Sequence, residues 1–539
     1  MKSSLKPPPS STLNVSEWLE KCLPLISRLI LFTALASLVL FTLYSYRARF
    51  HSDAATAAML SLEQWRTGSL FVKGWYYSQD FWPMFVFNSA TLFFPIVHDA
   101  FLATQAGVLI QSAIVFFATR HLLIQLGSKI TANLLLAFLF SGVSFIWSEF
   151  FYGQGQYGNV LMFLLLDTAL IVKLFKMSND NLKSWYWVAF FLLNVYMNST
   201  SVRYLAFLVG PALLSLGYLF YTQSTPAVKI RNIALLLLIS SVCGQILFTF
   251  LKHSYTFLQG ADGATFISYH DILLTNLPRV IEGYLSLIVD EEVGVKFASL
   301  AGIGYAQRFF FCVILFTGPF YVLTMQWGKI VSNLDAIEKY LVLYFVGLAG
   351  ISFFAVVFLA FTVNAVAAAR YIMVPIFFGV LISAIFLNKW QLKNSNLVLL
   401  ALMLPAFFFN IHSLHSGLLS SAGGEKDQLV KFLKVNGLER GFANYWNADA
   451  LTVLSNYQVM VAHIENERPI PWLFMTSKEF YKPVGAKQNF LLLETSEIPK
   501  FDFEPIRKSM GEPARILKFN RYQIFVYDGE FATHLPGWN

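Results

Sequence analysis

Charge is what this chain has least of. Only 13% of its 539 residues are Asp, Glu, Lys or Arg, about half the roughly 25% typical of soluble domains. That shortage excludes an ordinary water-soluble globular protein. Cysteine is almost missing as well. Cys22, Cys243 and Cys312 are the only three, each in or beside an apolar run, so a disulfide scaffold is excluded. Gly-x-Ser-x-Gly, His-Glu-x-x-His and Cys-x-x-Cys are absent, which leaves the common hydrolase, zinc-protease and redox chemistries without a carrier. The glycine-rich Gly153-Gln154-Gly155-Gln156-Tyr157-Gly158 follows no strand and matches no phosphate loop, so it reads as a tight re-entrant turn. His412 and His415 have no third metal ligand nearby in sequence.

Apolar mass takes the place of charge. Hydrophobic residues make up 56% of the chain, with 54 Phe, 24 Tyr and 12 Trp, and mean hydropathy is +0.57. The fold class expected is a polytopic α-helical membrane protein. About eleven candidate spans of roughly 20 residues or somewhat fewer can be drawn: Leu23–Tyr44, Phe101–Thr119, Thr131–Trp147, Val160–Leu174, Ser184–Tyr196, Tyr204–Tyr221, Ile230–Leu251, Arg308–Met325, Tyr340–Phe361, Met373–Leu387 and Leu397–Phe409. The basic excess of 39 over 31 falls in pairs between these runs instead of in one nucleic-acid-binding patch. With the N-terminus inside, alternate connections hold Arg120 and Lys129; Lys173, Lys176 and Lys183; Lys229 and Arg231; Lys329 and Lys339; Lys389 and Lys393. Short cytoplasmic loops carry such a bias.

Three regions follow: a cytoplasmic tail 1–22, a membrane domain 23–411 with outer loops 45–100 and 252–307, and an outer domain 412–539. In the last, charge returns and helical and strand-like stretches alternate, so a small α/β domain is expected. The loop 252–307 contains an amphipathic helical pattern over Ile272–Val289.

The chemistry-bearing residues collect at the outer rim. The opening loop is polar and aromatic, with His51-Ser52-Asp53 near its start and Trp75-Tyr76-Tyr77-Ser78-Gln79-Asp80-Phe81-Trp82 at its end. Glu149 lies just past the third span. Arg203 and Arg370 each begin an Arg-Tyr pair with a proline beyond, Pro211 and Pro375, and each stands on the outer side against the charge bias. A guanidinium there suits a phosphate, because its planar fork donates paired hydrogen bonds. The alternative is that each snorkels to lipid headgroups.

An acid just after the first span in a long outer loop, an acid after the third, about eleven spans and an outer C-terminal domain resemble the GT-C glycosyltransferases, integral membrane enzymes that take sugars from polyprenyl-phosphate carriers. Protein O-mannosyltransferases and the aminoarabinose transferase of lipid A belong to that superfamily. The resemblance rests on Ser52-Asp53, Ser148-Glu149 and the Arg-Tyr elements. Asp53-Ala54 stands where the O-mannosyltransferases carry Asp-Glu, which turns the expectation from protein toward surface glycan or lipid acceptors. The resemblance implies Asp53 and Glu149 as catalytic carboxylates, Arg203 and Arg370 on the donor phosphate, and His51, Trp75, Tyr76, Tyr77, Asp80 and Trp82 on the sugar or acceptor. It implies no organic cofactor, with Mg or Mn on Asp53 and Glu149 left open. The expected setting is a bacterial inner membrane with the C-terminal domain periplasmic. A lipid-linked sugar flippase or transporter and a polysaccharide polymerase or ligase are the alternatives; a transporter would place its polar sites at mid-membrane on broken helices.

Overall fold

The computed structural model describes residues 15–81, 90–177, 185–257, 265–288, 296, 298–360, 362–389, 395–415, 424–535 and 538. Each apolar run read as a span lies largely on helix, which the lack of competing hydrogen-bond partners in hydrocarbon demands. The span count differs from eleven. Among the described residues eight helices are long and apolar enough to cross a membrane: Glu20–Leu43, Ala100–Leu126, Gln156–Lys176, Ala227–Ser254, Leu300–Met325, Ala336–Phe358, Ala365–Lys389 and Ser395–His415. The third run is broken, since Lys129–Phe140 and Phe145–Gly153 meet at 97°. Trp185–Thr200 has 16 residues, and Leu205–Tyr221 is also short. Hydropathy along a sequence registers apolarity but not a bend, so a segment that turns back counts as a span.

Small residues let the helices approach. A Cβ on Gly244 would stand 2.6 Å from Asn198 Cβ and 2.7 Å from the Val195 carbonyl, so the Ala227–Ser254 helix is seated directly on Trp185–Thr200. The loop 252–307 does form the expected helix, over Leu277–Ile288. Val280, Gly283 and Leu287 are buried while Ile281 and Leu285 are exposed.

The opening connection is more ordered than a loop. Ser52–Thr67 is a helix of 16 residues, favoured by Ala54, Ala55, Ala57 and Ala58, the best helix formers. Extended His51 starts it, and Gly68 ends it at φ +63°, a left-handed turn that suits glycine. Nearly all of its first three turns are buried.

What covers that helix is the C-terminal region. Its five strands are β1 (Arg440–Ala443), β2 (Met460–His463), β3 (Gln488–Glu494), β4 (Arg515–Phe519) and β5 (Tyr522–Asp528), in the order β2-β1-β3-β5-β4. β1 is parallel to β2 and β3, and β5 is antiparallel to β3 and β4. β3 reads buried through Asn489–Leu493, as a strand covered on both faces should. The helix Tyr445–Leu454, capped by the Asn444 side chain on the Asn447 N–H, leaves β1 and lies against Ser52–Thr67. Further contacts fasten the sheet domain to the opening segment: Arg47 pairs with Asp427 at 3.0 Å, Ser477 Oγ donates to Glu63 at 2.8 Å, and the Tyr76 N–H donates to the Thr476 carbonyl at 2.8 Å.

The basic connections set an orientation that can be measured. A reporter fused after Tyr527 should report the outer compartment and one within the Lys173–Lys183 connection the cytoplasm; a cytoplasmic signal from the first would reverse the chain in the membrane.

Candidate active site

The broken third span builds the site. Its backbone turns at Ser141–Ser144, runs through a π-helical turn over Glu149–Gly153, and enters the next helix through Gly155 at φ +70°. Wide turns of this kind re-aim side chains and recur at functional sites. Glu149 begins that turn. The Tyr46 ring lies on Gly153, where a Cβ would come within 2.5 Å of the ring carbon Cε2, so glycine is needed to bring the phenol close. Tyr46 O–H then donates to Glu149 Oε1 at 2.5 Å, joined there by His51 Nε2 at 2.7 Å and Gln154 Nε2 at 3.3 Å. Glu149 Oε2 and His51 Nδ1 are buried with no hydrogen-bond partner among the described residues.

Asp53 is the second residue of the Ser52–Thr67 helix, in its first turn. Arg370 Nη2 reaches its Oδ2 at 3.3 Å, and Tyr445 O–H donates to its Oδ1 at 2.7 Å. Gln156 Nε2 holds the Asp53 carbonyl at 3.1 Å. Arg370 also lies over the Phe150 ring at 4.8 Å, next to Glu149, so the two carboxylates share one rim. A second pair adjoins them: Arg203 is bonded to Asp80 and lies over the Tyr157 ring at 5.8 Å, on the helix that Gln156 begins.

Electrostatics fix who carries protons. Burial, followed by the Asp53 and Asp449 carboxylates, lifts the Tyr445 phenol well above its ordinary value, so it is an O–H donor at any physiological pH. Burial and then Glu149 do the same for Tyr46. For His51, burial pulls the imidazole down, but Glu149 and then Asp53 outweigh it and the net shift is upward from 6.5. His51 Nε2–H is therefore the donor to Glu149.

The structure thus brings together His51, Asp53, Glu149 and Arg370, with Asp80 and Arg203 beside them. It corrects the aromatic expectation. Trp75 and Tyr77 are 1% and 0% exposed and cannot cover a sugar: Trp75 packs edge-on against Phe480, and Tyr77 sits among Phe81, Tyr255 and Phe257. Tyr76 pairs along the backbone with Thr256, and Lys478 lies over its ring at 5.4 Å. Trp82 lies outside the described residues. Tyr46, Tyr157 and Tyr445 were not foreseen. Tyr445-Trp446 carried a signal, two adjacent aromatics in an otherwise polar tail, but reads from sequence as the end of a strand.

A hard divalent cation takes carboxylate oxygens as ligands. Asp53 gives both of its oxygens to Arg370 and Tyr445, and among the described residues no three His, Cys, Asp or Glu side chains converge to hold an ion. The carboxylates as arranged are not a ready site for Mg or Mn, which would have to displace or share the Arg370 guanidinium.

No family model and no curated protein matches the chain. Among solved structures it is similar to the apo crystal structure of the Archaeoglobus fulgidus oligosaccharyltransferase, at 10% identity over 89% of this chain and 70% of that one, with a TM-score of 0.47. For the same archaeal enzyme in complex with Zn and sulfate the values are 11%, 89%, 68% and 0.49. For the A. fulgidus oligosaccharyltransferase AglB in complex with an inhibitory peptide and a dolichol-phosphate they are 11%, 91%, 71% and 0.47.

The His51–Glu149 pair has a pH signature. A histidine whose pKa is raised by folding contributes stability that is fully present below its unfolded value near 6.5 and is lost as pH rises through the folded value. The melting temperature of the wild type should therefore fall relative to that of His51→Gln as pH is scanned upward from 6.5; parallel curves would remove the charge from this pair.

Proposed function

We propose that this chain is a membrane glycosyltransferase of the GT-C type, which moves a sugar from a polyprenyl-phosphate carrier to a hydroxyl of a surface glycan or lipid on the outer face of the membrane. The observation that carries the proposal is the Asp53 carboxylate held at 3.3 Å by Arg370, with the Arg203–Asp80 pair next to it, at the rim of a helical bundle. A base and two cations are what transfer from a lipid phosphate requires.

The lipid has somewhere to go. Just beyond Arg370 on the same helix, Ile372 and Pro375 enter the wall of an apolar groove of about 930 Å³, shared with Tyr284, Phe320 and Phe353. Just beyond Arg203, Leu205 and Val209 line a second groove of about 660 Å³. Apolar walls beside a cation match an anionic head on a hydrocarbon tail.

In the proposed reaction the acceptor O–H bond breaks as its proton moves to Asp53. The acceptor oxygen forms the new bond to the anomeric carbon, and the bond from that carbon to the phosphate oxygen breaks with its electrons on the leaving polyprenyl phosphate. Arg370 has two roles. In the free site it neutralises Asp53; when the donor phosphate arrives it turns to the stronger anion, which frees a carboxylate oxygen for the proton and places the cation where charge develops. Tyr445 keeps the other oxygen oriented. Glu149 is occupied by Tyr46, His51 and Gln154 and serves as the fixed counter-charge of His51. The transporter alternative is disfavoured because these groups collect at one rim instead of mid-membrane.

Purified protein given a panel of polyprenyl-phosphate sugars should turn over at least one, whereas a transporter would turn over none. With that donor, Asp53→Asn should lower the rate roughly 10²–10⁴-fold, the scale of losing a general base, while a cooperative melting transition, at a lower temperature, shows that the variant still folds; near-normal turnover would remove Asp53 from the mechanism. Arg370→Gln should cost about 3 kcal/mol in donor use. Arg370→Lys should restore only part of it, because an ammonium lacks the paired fork. Equal kinetics for Lys and Arg would mark a lipid anchor instead.

A further inference from the structure

With Trp75 and Tyr77 buried, the acceptor needs another surface, and the outer domain offers one beside the carboxylate. Tyr445, whose hydroxyl is on Asp53, lies at the centre of a set of rings. Trp446, Trp472 and Phe474 surround it with centroids 5.3, 5.2 and 5.3 Å away. Tyr445 itself is buried, but Trp446 is 52% exposed and Trp472 is 37% exposed. Large aromatic faces left open in this way are uncommon unless something covers them. Trp472 and Phe474 are nearly parallel, at 18° and 4.9 Å, and so make a flat double layer. Trp446 meets the His51 ring edge-on at 6.2 Å, the same His51 that is bonded to Glu149. Lys426 Nζ donates to the backbone carbonyls of Trp446 and Phe50, at 2.9 and 3.3 Å, and so holds this helix start on the opening segment.

We infer that Trp446 and Trp472 form an acceptor subsite for carbohydrate, on which the sugar rings of a glycan chain stack so that one hydroxyl reaches Asp53. This rests on the transferase proposal and deepens it by naming the acceptor class. A sugar ring has an apolar face of axial C–H groups and a polar perimeter. Open indole faces meet the first, and the Asp53 carboxylate beside the Tyr445 hydroxyl meets a hydroxyl of the second. The rings converge on Tyr445 at that carboxylate.

The test reads binding without turnover. The full chain in lipid nanodiscs is titrated with mannopentaose, maltopentaose, cellopentaose and chitopentaose and followed by saturation-transfer difference NMR. At least one should show saturable transfer to its C–H protons. Trp446→Ala and Trp472→Ala should each weaken it ~3–10-fold, the scale of losing one aromatic contact, while Trp446→Phe should keep most of it. Melting temperatures of the variants establish that they fold. Failure of all four sugars to saturate, or binding by the Trp446→Ala/Trp472→Ala double variant equal to that of the wild type, would overturn the subsite. Because Asp53→Asn turnover is measured separately, sugar binding with no transfer to any acceptor would sink the transferase proposal and leave the subsite standing.

Discussion

The Asp53 carboxylate is the joint on which the arrangement depends. One oxygen is taken by Arg370 from the helical bundle and the other by Tyr445 from the C-terminal domain, while its own helix belongs to the opening segment. Three parts of the chain, far apart in sequence, are thus held by one small anion. A carboxylate placed between a guanidinium and a phenol is favourable because a charged acceptor roughly doubles the strength of each hydrogen bond. Losing either partner would leave the remaining group partly buried and unpaired, the costly side of the balance.

The phenol is itself supported from behind. Thr56 Oγ1 lies within hydrogen-bonding reach of both Tyr445 O–H and Asp449 Oδ2, at 3.3 Å each, and Asp449 Oδ1 meets His463 Nε2 at 2.6 Å. The Asp449–His463 pair is fully buried, so its geometry is set by the sheet domain and not by solvent. The C-terminal domain therefore supports the Asp53 site from behind. Its attachments through Arg47, Glu63 and Tyr76 return to the same opening segment that carries Asp53.

How much of this was legible depends on range. Apolar runs gave the membrane class, and the tail's alternation gave a small α/β sheet, because both are written in local periodicity. Asp53, Glu149, Arg203 and Arg370 were legible because charge at the edge of an apolar run is conspicuous. Tyr445 was not, since its role comes from a contact across 392 positions. The error over Trp75 and Tyr77 has the same origin: aromatic density marks burial and binding alike, and only the fold decides which rings keep an open face. The count of eleven spans is not confirmed: among the described residues eight helices are long and apolar enough, or nine if the bent third run is one span, because hydropathy registers neither a bend nor the length of the helix that forms.

That turn has a consequence for biogenesis. Its polar groups at Ser141–Ser144 lie inside the protein and are met by side chains that come much later in the chain. Asn410 Nδ2 donates to Ser141 Oγ at 2.8 Å, and Arg308 Nη2 donates to the Val143 carbonyl. Ser141 and Ser144 are met in part within the turn, by Phe138, Trp147 and Ser148, but until the helices bearing Arg308 and Asn410 have been synthesised the Val143 carbonyl and the Ser141 hydroxyl lack these later donors, and hydrocarbon provides none. The segment leading to Glu149 therefore completes its contacts only after it has left the ribosome. Completion of the turn is a late event in which the last helices lock a much earlier one, so a ribosome stalled before residue 410 releases a chain in which the segment leading to Glu149 still lacks its Asn410 contact.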